Sequence, residues 1–298
     1  MRKVKVITDS CSDLTVDLME KYDIDYAKMN TVYEGKETPA RLDWTKEEAH
    51  ALYEIMRAGN RVTTTQVPMN EFQDIFTKYI KQDMDVVYIS CSVKQTSSIN
   101  TAMVVAKKLM EENEGVNIRC VDSFNACLGE GLVAIEAAKK AAEGKSADEI
   151  ADYIASIRKT VNEYVTVHSL DALKRAGRVS ASSAFFGNLM GVKPILIADV
   201  DGAQAAYKKV KGRVNSFKEI VALMKANIKD AENQTILLGH ADCSEEEVNQ
   251  LKEMVKQEIK CKDIYVTLIG PIIGASVGPD TIGLWAFGNE VTFRAGDK

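Results

Sequence analysis

The sequence predicts an α/β protein of two domains, an amino-terminal domain on a parallel sheet and a carboxy-terminal α+β domain on a mixed or antiparallel sheet. Three observations carry this. The chain has 298 residues, more than a single hydrophobic core usually serves. Its first half alternates short β-rich runs with helical patterns, the rhythm of a parallel sheet covered on both faces. Its second half sets two β-runs around Val200-Asp201-Gly202, a hairpin signal that a parallel sheet does not use.

Taken in order, residues 4–8 form the first strand. The opening Met1-Arg2-Lys3 is charged and no apolar run follows, so it reads as a strand start rather than a secretory leader. Further strands are expected at 26–32, 85–90 and 117–121. Helices at 101–110 and 132–142 show apolar residues at three- and four-residue spacing. Thr45…Glu48, Ser146…Glu149 and Ser244…Glu247 each fit a capping box at a helix start. A helix over 148–159 closes the first domain, which places the domains at 1–164 and 165–298. In the second, the runs 193–199 and 203–211 form the hairpin. A strand at 235–240, a helix at 244–256, a strand at 264–269 and a last strand at 281–287 follow. With no Pro/Gly-rich linker, the domains are expected to sit tightly, and the cleft between them is the default ligand site.

Composition narrows the function. At 46% apolar and 27% charged the chain is ordinary globular material, and its net charge is −5. An acidic surface repels phosphate backbones and anionic headgroups, so nucleic acid and peripheral membrane binding are not expected. The apolar run at 185–198 is interrupted by Asn188, Lys193 and Pro194 and does not make a membrane span. A cytoplasmic setting is expected. There, Cys11, Cys91, Cys120, Cys127, Cys243 and Cys261, which lack Cys-x-x-Cys spacing, read as free thiols filling apolar space.

Several generic motifs fail on context. Gly274-Ala275-Ser276-Val277-Gly278 matches a nucleophile elbow, but His50, His168 and His240 all precede the serine, so the usual Ser…Asp…His order is missing. Gly129-Glu130-Gly131-Leu132-Val133-Ala134 lies too far from a strand end for a dinucleotide fingerprint, and close helix packing explains its glycines. His240-Ala241-Asp242-Cys243 has no second cluster at ligand spacing, so no metal site is assigned. Gly144-Lys145-Ser146 lacks the earlier glycine of a phosphate loop.

The informative pattern is hydroxyl groups after strands: Thr8-Asp9-Ser10-Cys11-Ser12-Asp13, Thr63-Thr64-Thr65-Gln66, Ser90-Cys91-Ser92 with Thr96-Ser97-Ser98, and Asp122-Ser123. In a parallel sheet these points share the carboxyl edge, where ligands bind, and neutral hydroxyls donate well to an anionic head. Taken singly, each is as readily a helix cap. Residues 181–190 read as a short helix, apolar nearly all round, with Phe185, Phe186, Leu189 and Met190. Core packing explains most such side chains. An acyl chain buried there at ~0.8 kcal/mol per methylene would gain on the order of 10 kcal/mol gross.

The ordered set Thr8-Asp9-Ser10-Cys11-Ser12-Asp13-Leu14, Thr64-Thr65-Gln66, Val121-Asp122-Ser123, Gly129-Glu130-Gly131, Leu173 to Ser180, Gly187-Asn188-Leu189, Lys193-Pro194-Ile195-Leu196, Lys211-Gly212-Arg213 and Gly270-Pro271-Ile272-Ile273-Gly274 resembles the DegV family. That family includes the fatty-acid-binding subunits of bacterial fatty acid kinases. The resemblance implies one long-chain fatty acid in an interdomain tunnel, its carboxyl group presented to a separate kinase catalytic subunit. It implies no catalytic residues, no metal and no cofactor beyond the bound acid. Thr64, Thr65, Thr96, Ser97, Ser98 and Ser276 would receive the carboxylate, with Thr96 in place of the family's serine. Arg178 and Asp280 would face the headgroup opening and partner, and Phe185, Phe186, Leu189 and Met190 would line the acyl pocket. The terminal loop departs from the family pattern: Ser276 replaces a histidine and Asp280 adds a negative charge. This is expected to weaken carboxylate binding by about 1–3 kcal/mol. Two other readings stand beside it. One is a diverged carrier of another amphipathic ligand. The other is a hydrolase- or phosphotransferase-type enzyme using Asp9, Asp122, His240 or Asp280 as acid–base groups.

Overall fold

The computed structural model describes residues 2–168, 171–179 and 191–296. Along the chain run β1 (Lys3–Asp9), α1 (Val16–Tyr22), β2 (Ile24–Ala27), β3 (Asn30–Tyr33), β4 (Lys36–Pro39), α2 (Lys46–Arg57), β5 (Thr63–Thr65) and α3 (Met69–Ile80). Next come β6 (Met84–Ser90), α4 (Ser98–Glu112), β7 (Ile118–Asp122), α5 (Cys127–Ala142), α6 (Ala147–Ile157), β8 (Val161–Thr166), α7 (Asp171–Ala176) and β9 (Val192–Ala198). Last are β10 (Gln204–Lys211), α8 (Arg213–Asn227), β11 (Thr235–His240), α9 (Glu245–Glu258), β12 (Asp263–Leu268), α10 (Pro271–Val277) and β13 (Ile282–Phe287). The chain divides into two compact units: Met1–Asp43 with Thr64–Arg158, and Trp44–Thr63 with Lys159–Lys298.

The first unit carries the parallel sheet, in strand order β2-β1-β6-β7 with every pairing parallel. Both faces are covered, which is why β6 reads as a near-continuous apolar run. On one face α3 lays Phe72 and Phe76 against Tyr88 of β6. On the other, Thr8 of β1 meets Glu130 of α5. The single run expected at 26–32 is split. Ile24–Ala27 pairs with β1, while Asn30–Tyr33 joins β4 and β5 in a small separate sheet.

The second unit carries a six-stranded mixed sheet, β10-β9-β8-β13-β11-β12, antiparallel except for β11 with β12. One face packs under α8 and α9: Phe217, Ile220, Met224, Leu251 and Val255 meet Ile195, Ile236, Leu238 and Leu284. The hairpin forms as expected. The Asp199 Oδ1 accepts from the amides of Asp201 and Ala203, and Gly202 takes φ 81° at the turn.

The expected 164/165 boundary differs from this division at two places. Residues 161–166 form β8, the strand between β9 and β13. Helix α2 belongs with the second unit, where its buried Tyr53 donates to the Ile269 carbonyl at 2.7 Å. Among the described residues no helix is long and apolar enough to cross a membrane.

Candidate functional site

At the carboxyl edge of the first sheet, most polar groups fasten loops. Asp9 is fully buried: Oδ1 accepts from the Cys11 amide at 2.9 Å, and Oδ2 from the Tyr88 hydroxyl at 2.7 Å and the Cys91 amide at 3.3 Å. The Ser10 hydroxyl accepts from the Met29 amide at 2.9 Å. Asp122 holds the amides of Phe124 and Val93, and Ser123 closes a turn onto Asn125. Burial raises the Asp9 carboxyl above its usual range, against hydrogen bonds from Tyr88 and two amides, and burial likewise raises Asp122. These are loop anchors, since a buried carboxylate without such donors is costly. The glycines of 129–131 serve packing. A Cβ on Gly131 would lie 2.8 Å from the Ser12 carbonyl oxygen, and one on Gly129 3.0 Å from Asn125 Oδ1.

The hydroxyls between β5 and α4 form a second group. The buried Ser98 Oγ accepts from the Val67 amide at 3.2 Å and lies 3.0 Å from Thr96 Oγ1, which also accepts from the Ser98 amide at 3.3 Å. Gln66 Nε2 donates to Thr101 Oγ1 at 3.1 Å. The segment after β5 is thereby bound to the first turn of α4, so Gln66, Thr96 and Ser98 share one local patch. Thr65 is exposed and its hydroxyl donates to Glu37 at 2.6 Å. Half-buried Thr64 makes no side-chain hydrogen bond among the described residues, and Ser97 stands exposed as the residue before α4. The Thr64 and Ser97 hydroxyls are therefore available to a ligand, whereas the Thr65 hydroxyl must first leave Glu37.

The remaining expected residues belong to the second unit. Ser276 is half-buried in the last turn of α10, not at a strand-to-helix elbow. Asp280 takes φ 61° and its charge is already met: Arg57 Nη2 donates to Oδ1 at 2.7 Å, and Arg213 Nη2 to its carbonyl at 2.7 Å. Arg57 also reaches Asp242 and Glu54, and Arg213 grips Glu247 through two nitrogens. Burial works to raise the Asp242 carboxyl, but the hydrogen bonds from Arg57 and His50 outweigh it and hold it below the ordinary value. No local signal marked the pairing of Arg57 with Asp242 and Asp280, because those partners lie 185 and 223 positions away. Exposed Arg178 lies just past the end of α7. The Gly177 amide bonds the Lys174 carbonyl, the Arg178 amide bonds that of Leu173, and Gly177 takes φ 67°, a Schellman cap that only glycine accepts cheaply. Phe185, Phe186, Leu189 and Met190 lie outside the described residues.

A family profile described as "Uncharacterised protein, DegV family" matches residues 3–289. A DegV domain-containing protein of Clostridium perfringens is 32% identical over 289 residues, 97% of this chain and 99% of its own. One from Caldanaerobacter subterraneus subsp. tengcongensis is 30% identical over 285 residues, 96% of this chain and 99% of its own. Among solved structures, a DegV lipid binding protein from Thermotoga maritima superposes with TM-score 0.83 at 26% identity, over 97% of this chain and 100% of that one. A Thermus thermophilus protein, described for its fatty acid binding, shares the fold with TM-score 0.86 at 23% identity, again over 97% and 100%.

Proposed function

The chain belongs to the DegV family, and from that premise we propose that it binds one long-chain fatty acid without transforming it and presents the carboxyl group to a separate kinase. The acyl chain's place between the domains and the roles of Arg178 and Ser276 are part of this proposal. The observation that carries it is the pair of hydroxyls of Thr96 and Ser98 at the start of α4, bound to the segment after Thr64 and Thr65 through the Val67 amide, neutral groups suited to an anionic head. The lipid-binding description of the Thermotoga maritima relative supports it. The pairing of Asp280 with Arg57 supports it too, because the extra carboxylate of the terminal loop is already compensated.

The test is direct. Protein purified from bacteria is denatured and its extract read by mass spectrometry, where a stoichiometric acyl chain is expected. Labelled palmitate should then bind, and Thr64→Ala and Thr96→Ala should each weaken it by about 1.5–3 kcal/mol, roughly ten- to hundredfold in Kd. An empty protein that rejects palmitate and oleate sinks the reading. Hydrolysis of an ester or phosphate substrate that disappears in Asp122→Asn would favour the enzyme reading instead.

A further inference from the structure

Beneath the edge of the first sheet lies a cluster the fatty acid reading does not use. The thiols of Cys11 and Cys91 and a carboxylate oxygen of Glu130 all lie within 4.8 Å of one another, and all three residues are buried. One construction places them. The Asp9 carboxylate accepts from both cysteine amides, Cys11 on Oδ1 and Cys91 on Oδ2, so the loops after β1 and β6 deliver their thiols side by side. Glu130 arrives from α5 on the strength of Thr8, which donates to Oε1 at 2.6 Å.

The other oxygen is the telling one. Glu130 is 0% exposed, and among the described residues its Oε2 has no hydrogen-bond partner. An orphaned buried carboxylate oxygen is costly unless something electropositive meets it. Met29 adds a third sulfur 3.5 Å from Cys11 Sγ, and no lysine or arginine pairs with this cluster among the described residues.

We propose that Cys11, Cys91 and Glu130 form a binding site for a thiophilic divalent cation of the zinc class. Two sulfurs and one carboxylate oxygen are a donor set such ions accept in tetrahedral geometry, while Mg2+ and Ca2+ demand oxygen ligands. Ligand atoms all within 4.8 Å of one another can be reached by a single ion between them, whose bonds would be about 2.0–2.3 Å. Binding is an exchange. Hydrogen bonding to Cys91 and burial push the Cys11 thiol up; at Cys91 the hydrogen bond with Cys11 lowers the thiol but burial together with the nearby carboxylates raises it overall; burial pushes the Glu130 carboxyl up. Thiol and carboxyl ligands bond the cation in their deprotonated forms, so cation binding competes with protons.

The experiment uses the full chain, refolded from urea with Co2+ or Zn2+ because the site is buried. Expected are one equivalent of cobalt, a sulfur-to-cobalt charge-transfer band in the near ultraviolet, and displacement by Zn2+ with a raised Tm. The Cys11→Ser/Cys91→Ser variant should lose the band and about a hundredfold or more in affinity, beyond what outer-sphere changes cause. Cys261→Ser should leave both unchanged. If the double variant fails to fold, Glu130→Gln decides: the band should persist with about tenfold weaker binding, and unchanged affinity overturns the assignment. Wild-type protein that retains no metal and shows no band also overturns it. Palmitate binding is read separately, so the two proposals fail independently.

Discussion

At the scale of single residues, burial decides what a polar group is for. His240 sits at the end of β11 with its Nδ1 buried and without a hydrogen-bond partner among the described residues, and burial lowers its imidazole from 6.5 to about 4. The imidazole is thus neutral in the fold and gains a proton more readily once unfolded. Its contribution is complete above 6.5 and is lost as pH falls towards 4, in total about 3 kcal/mol. Urea unfolding of wild type and His240→Gln across that window should show an acid-side decline that the variant lacks. Gly131 illustrates steric rather than electrostatic necessity. Its missing Cβ lets α5 approach the loop after β1, where backbone stands 2.8 Å away. Gly131→Ala should cost about 1–3 kcal/mol by overpacking, seen as a lower urea midpoint with unchanged slope.

At the scale of elements, sequence patterns hold wherever the interaction is local. Thr45/Glu48 and Ser146/Glu149 form reciprocal capping boxes as their spacing requires. Ser244 receives the Glu247 amide, but the box is not completed because the Glu247 carboxylate is held by Arg213. Thr45→Ala and Ser146→Ala should each destabilise by about 1 kcal/mol. Glu247→Gln should leave the α9 start intact while loosening Arg213 from the Asp280 loop, a difference that hydrogen exchange of the two segments would resolve. The split of the 26–32 run into β2 and β3 was beyond local reading. Both halves have strand character, and which sheet each joins depends on β1 and β4, not on its own residues.

At the scale of the whole molecule, the two units do not follow the chain's order. Cutting at 164/165 would split β8, leaving only Val165 and Thr166 with β9 and β13, and would separate α2 from the unit it belongs to. Fragments 1–164 and 165–298 are therefore expected to lack cooperative unfolding when expressed apart, whereas intact protein should melt cooperatively and gain about 2.7 kcal/mol with palmitate at a hundredfold excess over Kd. The sequence by itself determined the fold class, the parallel and mixed sheets, the hairpin, the helix caps and the family, because periodicity, turn chemistry and ordered motifs act over short spans. Only the tertiary structure decided that Asp280 is neutralised by Arg57, that α2 joins the second unit, and that two cysteines 80 positions apart meet an orphaned glutamate oxygen. Those facts depend on which distant segments are brought together when apolar faces are buried, and no local pattern records it.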